Sequence, residues 1–550
     1  MESSSAWLRG VFRSPGLWLA AGGLLLVLAI TIVTSPLYQR MPGNDSGTFY
    51  YVADQMLHGK VPYRDVWDHK PPGIYFVDGF GLLIAGSRWG VWALEFMAIA
   101  IAAIFGFLAS KRAFGTLPAL VGSAAWLFAM PYLLTGGNLP EEYALPLQFG
   151  LLYLFQRSVR RGQPGWDFFL MGLLTGGLFI LKYNLIAIPL SIALVVVFAN
   201  ARLKDWRGLF RSLAAFTLGS ALILAAVSVY FLSQGALADF WEASVVFNVG
   251  RASSSMASPV AWLKPPIIGM GFMAGSGLGV MGLAGWIAGV MYLLSRSQLT
   301  ERMEPLLLVS VVSLPIGIIL IASSGHWSSS LYFMAWLPTL AVLCSFLLYL
   351  VLTTKGAVFR PWRTPYTLST QSLIALSLFL AMAFLPASKI VADLTNLGEF
   401  QARRQSWGEA AKYVEASSYP KDTVMVWGVG PSINFTAQRE APTRFANVGP
   451  LFGSSPYYQG TENRQRFEEI LRDIQTHKPK LIIDTSSTFG VSPLDASKWE
   501  EWFQSHEGGA AAIAGRETEL QRISEYVLAN YHVVTTLEPD GWLVYRYTGE

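Results

Sequence analysis

From Leu17 to Leu385 the chain repeats one pattern, an apolar run of up to about twenty residues followed by a short polar or glycine-rich break. The runs fall at 17–36, 91–110, 117–134, 143–155, 166–180, 185–199, 213–232, 267–294, 306–322, 331–352 and 368–385. Each predicts a helix that buries its backbone polar groups within itself, as hydrocarbon demands. After Ala387 the pattern changes to amphipathic windows and short strands. Glu399 to Ala416 predicts a helix, DTVMVWGVG (Asp422 to Gly430) a buried strand, Glu462 to Gln475 a helix, KLIIDT a strand and Glu517 to Asn530 a helix. The last run, YHVVTTLEPDGWLVYRY, alternates around Pro539-Asp540-Gly541, a turn between two strands. The expected architecture is a polytopic α-helical membrane domain of about 11 transmembrane helices over residues 1–388, followed by a small α/β domain over 389–550.

Positive charge gives the topology. Arg9 and Arg13, Lys111 and Arg112, Arg157 with Arg160 and Arg161, Arg202 with Lys204, Arg207 and Arg211, Arg296 and Arg302, and Lys355 with Arg360 and Arg363 all share one side if the N-terminus is cytoplasmic. Gly73 to Gly86 is apolar enough to span, but counting it would throw every later cluster outside. It therefore reads as a helix in the interface or on the outer face, within a long first outer loop over 37–90. The odd number of spans puts the C-terminal domain outside, in a multi-pass protein of the cell (inner) membrane.

Composition agrees, with 53% hydrophobic and 14% charged residues against roughly a quarter charged in a globular chain. The net charge of +4 is distributed between the spans rather than gathered in a patch, which excludes nucleic acid as the expected partner. The single cysteine, Cys344, allows no intrachain disulfide.

The first outer loop carries more chemistry than a connector needs. In GNDSG, Asp45 stands a few residues after the first span, either as a turn aspartate or as a general base toward an acceptor hydroxyl or amine. Glu141 and Glu142, in LPEEYALPL, begin a later span from the same side, where acids also complement a helix dipole. His69 and Lys70 in WDHKPPG can bind a phosphate or form a turn before an amphipathic helix. Lys182, Arg251 and His326 are further cations or potential cations on the side where the positive-inside rule disfavours them. Together these residues point to an anionic, lipid-linked substrate and a nucleophile. No glycine-rich phosphate loop and no histidine or cysteine spacing of a zinc site is present.

The stretch DSGTFYYVADQMLHGKVPYRDVWDHKPPGIYF resembles the first outer loop of the bacterial branch of GT-C glycosyltransferases, related to protein O-mannosyltransferases and the lipid A aminoarabinose transferase. LPEEYALPL, LKYNLIAIPL and DFWEASVVFNVGRAS continue the resemblance. It implies a GT-C-like fold and transfer of a sugar from a polyprenyl-phosphate donor to an extracytoplasmic acceptor, with inversion at the anomeric carbon. Asp45 would be the catalytic acid-base residue, with Glu141 or Glu142 assisting. Lys182, Arg251, His69, Lys70 and His326 would face the donor phosphate. Membrane lipids would be further partners.

Two departures stand out. Many relatives carry a histidine-tyrosine pair before a late span, where SSSLYFMAWLP has Leu331 in place of the histidine. No D-x-D metal motif occurs in the first loop, so a divalent metal is compatible with the pattern but not implied. The rival class is a transporter or lipid-linked sugar flippase, which calls for ionisable residues in mid-span and paired inverted repeats. The C-terminal domain is expected to recognise the acceptor or cover the active site.

Overall fold

The computed structural model describes residues 15–162, 165–255, 264–295, 304–323, 329–353, 370–453, 456–506 and 508–549. The chain divides into two compact units. The first comprises Met1–Ser35, Trp92–Ala226 and Pro259–Leu397, and the second Pro36–Val91, Val227–Ser258 and Gly398–Glu550.

The first unit is helical. Among the described residues six helices are long and apolar enough to cross a membrane, or up to seven if one bent pair is a single span. Gly165–Leu181 and Ala187–Leu203 are shorter apolar helices. Leu25, Leu218, Ile267 and Met291 leave most of their side chains uncovered, as expected of surfaces that face lipid. Where these helices cross closely, the sequence supplies glycine. A Cβ on Gly172 would stand 2.1 Å from the Phe216 carbonyl oxygen, and one on Gly219 2.2 Å from that of Phe169. The run 267–294, expected as one span, is broken into Lys264–Ser276 and Leu278–Leu294, which meet at 117°. Gly277 makes the break by adopting φ +70, a conformation that costs other residues energy.

The second unit gathers three stretches that are far apart in sequence. After the first span, Asn44–Leu57 and Gly73–Ala85 form two helices packed on each other. Leu237–Trp241 continues through a π-helical turn, Glu242–Val246, into Phe247–Ser255. The C-terminal part builds a four-stranded sheet from β1 (Val424–Trp427), β2 (Leu481–Asp484), β3 (Tyr531–Leu537) and β4 (Trp542–Tyr547), in the order β1-β2-β4-β3. β1 and β2 are parallel, and β4 runs antiparallel to both β2 and β3, so the expected terminal hairpin is present.

The sequence suggests one boundary near residue 388, whereas the second compact unit joins the first outer loop, Pro36–Val91, to the tail. Met41 lies in the same buried cluster as Trp407, Val424, Ile433, Leu481 and Trp542. Tyr50 stacks on Phe435 at 5.4 Å between centroids. The helix Asn44–Leu57 rests so closely on Pro431–Ala437 that a Cβ on Gly47 would lie 2.5 Å from Ser432 Cβ and 3.1 Å from its Cα. Backbone on one side leaves little room to yield. Gly47→Ala is therefore expected to cost about 1–3 kcal/mol through overpacking, read as a lower thermal midpoint of the purified full chain.

The helix expected over Glu399 to Ala416 is also interrupted. Leu397–Ala402 ends, Arg404 adopts φ +61, and Gln405–Ser417 begins. The Arg404 guanidinium donates to Gln39 Oε1 at 3.1 Å and to the Met41 carbonyl at 3.3 Å. A long-range contact has thus overridden local helix preference.

Candidate functional site

In the second unit, the first outer loop is shaped by its own hydrogen bonds. Gly43 N–H donates to Ser46 Oγ at 2.8 Å, starting the helix whose first turn carries Asp45. That carboxylate stays about half exposed and lies 3.7 Å from Lys70 Nζ. Tyr63, fully buried at φ +71, donates its hydroxyl to the Lys70 carbonyl at 2.8 Å and so fixes the backbone that carries the lysine.

His69 is buried, with charged groups on two sides of its ring. Arg251 Nη1 lies 3.0 Å from its Nε2. A guanidinium can only donate, so Nε2 is the acceptor and the ring proton resides on Nδ1, which faces Asp68 Oδ1 at 3.1 Å. Asp68 also accepts the His69 backbone N–H at 2.8 Å and the Tyr75 hydroxyl at 2.7 Å. Asn248 Nδ2, one turn before Arg251, donates to the His69 carbonyl at 2.5 Å. Burial pushes the His69 imidazole down to about 4, with Asp68 opposing the shift and the Lys70 and Arg251 charges adding to it. Burial alone would raise the Asp68 carboxyl, but hydrogen bonding and charge from His69, with Lys70 and Tyr75, carry it below its ordinary value. The result is a chain Tyr75–Asp68–His69–Arg251.

The C-terminal part holds this loop in place. The Trp67 backbone N–H donates to the Arg444 carbonyl at 2.8 Å, and Arg444 Nη1 donates to the Tyr63 carbonyl at 3.0 Å. The Trp67 ring meets Phe247 and Phe445 edge-on or tilted, and Arg466, ion-paired with Glu242, lies over both Trp67 and Phe247.

In the first unit, Glu141 and Glu142 occupy the first turn of the helix Pro140–Arg160 and are both buried. They point to different partners. Glu141 forms an ion pair with Lys182, whose Nζ stands 4.2 Å from the centre of the Tyr332 ring. Lys182 sits in extended backbone between Gly165–Leu181 and the turn Tyr183–Leu185. Glu142 faces Glu95, and Glu95 Oε1 accepts the Thr34 hydroxyl at 2.7 Å. Gly137, at φ +82, lets the preceding loop pass Thr34 and Glu95 where any Cβ would collide.

The geometry therefore joins Asp45 with Lys70 and His69 with Arg251 in the second unit, and Glu141 with Lys182 in the first. His326 lies outside the described residues. Leu331 is buried, while its neighbour Tyr332 meets the lysine. Sequence reading missed Asp68, Tyr75, Asn248, Glu95 and Tyr332. All but Glu95 lay within stretches singled out in the sequence, but nothing local marked them as partners of the candidate residues. Among the described residues no group of three histidine, cysteine, aspartate or glutamate side chains converges as a metal site.

Residues 22–395 match the family described as "Putative competence-induced protein Ccs4 N-terminal domain". No curated protein matches the chain in sequence. Among solved structures, ArnT from Cupriavidus metallidurans bound to undecaprenyl phosphate is similar, with a TM-score of 0.58 and 14% identity over 98% of this chain and 99% of that one. The Archaeoglobus fulgidus oligosaccharyltransferase tethered with an acceptor peptide gives a TM-score of 0.53 and 12% identity over 96% of this chain and 74% of that one. The oligosaccharyltransferase AglB of the same organism, in complex with an inhibitory peptide and a dolichol-phosphate, gives 0.52 and 13% over 96% and 74%. The shared architecture is the GT-C fold.

Proposed function

Starting from a chain that belongs to the family of the putative competence-induced protein Ccs4 N-terminal domain, we propose an integral membrane glycosyltransferase that moves a sugar from a polyprenyl-phosphate donor to an extracytoplasmic acceptor with inversion. The observation that carries this reading is the half-exposed Asp45 carboxylate 3.7 Å from Lys70, on a loop whose His69 contacts Arg251 of the helix Phe247–Ser255. Inverting transfer requires a base to take the acceptor proton as the anomeric carbon is attacked, and fixed positive charge where the phosphate departs. Asp45 has the chemistry for the first role. Lys70 and Arg251 have it for the second, and Lys182 is the corresponding cation of the membrane unit. The fold shared with structures that hold undecaprenyl phosphate and dolichol-phosphate supports a polyprenyl-phosphate donor.

The decisive experiment is sugar transfer by the purified full chain, given a panel of polyprenyl-phosphate sugars. Transfer or donor hydrolysis that depends on Asp45 supports the enzyme. Movement of a lipid-linked sugar across vesicles without glycosidic cleavage would instead establish the flippase.

The proposed topology of about eleven spans, with residues 389–550 extracytoplasmic, has its own test. Tyr419 is 71% exposed, whereas Cys344 is buried. In a Cys344→Ser background, Tyr419→Cys is expected to react with a membrane-impermeant maleimide in intact cells. Labelling only after lysis would put the tail inside.

A further inference from the structure

The sequence treats His69 as one more cation for a phosphate, but its surroundings leave it no charge to offer. Its ring is buried, one nitrogen faces Asp68, and the other accepts from Arg251. We propose that Asp68 and His69 are positioning residues for Arg251, using a neutral imidazole to hold one guanidinium N–H so that the remaining donors keep a fixed direction toward a phosphate oxygen. The assignment of the anion as a polyprenyl phosphate rests on the function proposed above. The positioning role does not.

Three features support it. Arg251 is a long side chain on a short helix, and an arginine with several rotatable bonds delivers a directed donor only when something restrains it. The restraint is itself restrained, since the Asp68 carboxylate lies 3.1 Å from Nδ1 and is in turn held by Tyr75 and the His69 backbone N–H. The π-helical turn Glu242–Val246 sets the register of the segment beyond it, placing Asn248 on the His69 carbonyl and Arg251 on its ring. The charged and titratable groups around the ring are Asp68, Lys70 and Arg251, with Arg466 and Tyr458 beyond Phe247. The cations among them oppose protonation of the imidazole, and Asp68 is the group that favours it.

The test reads the ring and the guanidinium directly. In the full chain in nanodiscs, labelled with ¹⁵N-histidine and ¹⁵N-arginine and assigned with His69→Gln and Arg251→Lys, His69 is expected to remain the neutral Nδ1–H tautomer from about pH 5.5 to about pH 8. The Arg251 guanidinium should rotate slowly in the wild type and freely in His69→Leu. A His69 ring that titrates in that window, or a guanidinium indifferent to His69, overturns the proposal. Binding of undecaprenyl phosphate gives the second arm. His69→Gln should weaken it about ten-fold in the wild type and leave it unchanged in an Arg251→Ala background, because the imidazole acts through the arginine. An equal loss in both backgrounds would make His69 a direct ligand and overturn the proposal. Failure of undecaprenyl phosphate to bind the wild type would count against the polyprenyl-phosphate reading, with the spectra still deciding the positioning role.

Discussion

Asp45→Asn is expected to lower sugar transfer by about 10²- to 10⁴-fold while leaving the fold intact, the span usually associated with loss of a positioned general base. The substitution keeps the size of the side chain and its place in the first turn of Asn44–Leu57, where Gly43 and Ser46 supply the start signal. What it removes is a carboxylate able to accept a proton in the open, half-exposed position that an incoming acceptor could reach. Lys70→Met tests the neighbouring charge separately. If Lys70 faces the departing phosphate, its loss depresses the rate with donor saturating, whereas a lysine that serves only to hold Asp45 leaves transfer nearly unchanged in the Asp45→Asn background. Wild-type rates in Asp45→Asn, measured at equal folded amount, would remove this residue from the mechanism.

The second large effect is expected at Glu141 and is one of stability. Glu141 is buried and its bond to Lys182 joins residues forty-one positions apart. Removing one member of a buried pair leaves the other's charge uncompensated, typically at about 3–5 kcal/mol. Glu141→Gln should therefore lower the thermal midpoint sharply, and adding Lys182→Met should restore most of it. Activity should not return with stability, because the double variant lacks the proposed phosphate-facing cation. A double variant both stable and active would make the pair a structural device alone.

What the chain discloses before it folds depends on the range of the interaction. Apolar runs of membrane length and the Pro539-Asp540-Gly541 turn depend on neighbouring residues and could be read directly. The break at Gly277 escaped because mean apolarity across 267–294 carries no information about a single positive φ. Arg404 splits a helix that local pattern favours, through contacts to Gln39 and Met41 that no window could contain. At the candidate site, polar residues out of place in a membrane chain were visible as anomalies, but their partners were not. Lys182 called for an anion, and only the folded chain identifies Glu141. His69 looked like a cation because its residue type permits it, whereas its contact with Arg251 joins two segments 182 positions apart.

The cluster that includes Met41 and Trp407 also has a consequence in time. The loop bearing Asp45 leaves the ribosome long before the strands that complete its core, and at 5–20 residues per second the interval is roughly half a minute to a minute and a half. Throughout that period the first helix can already be inserted while the loop beside it waits unfinished. A chain cut short near its final hairpin would thus be a correctly threaded but immature protein, with Met41 and the apolar face around it open to surveillance proteases.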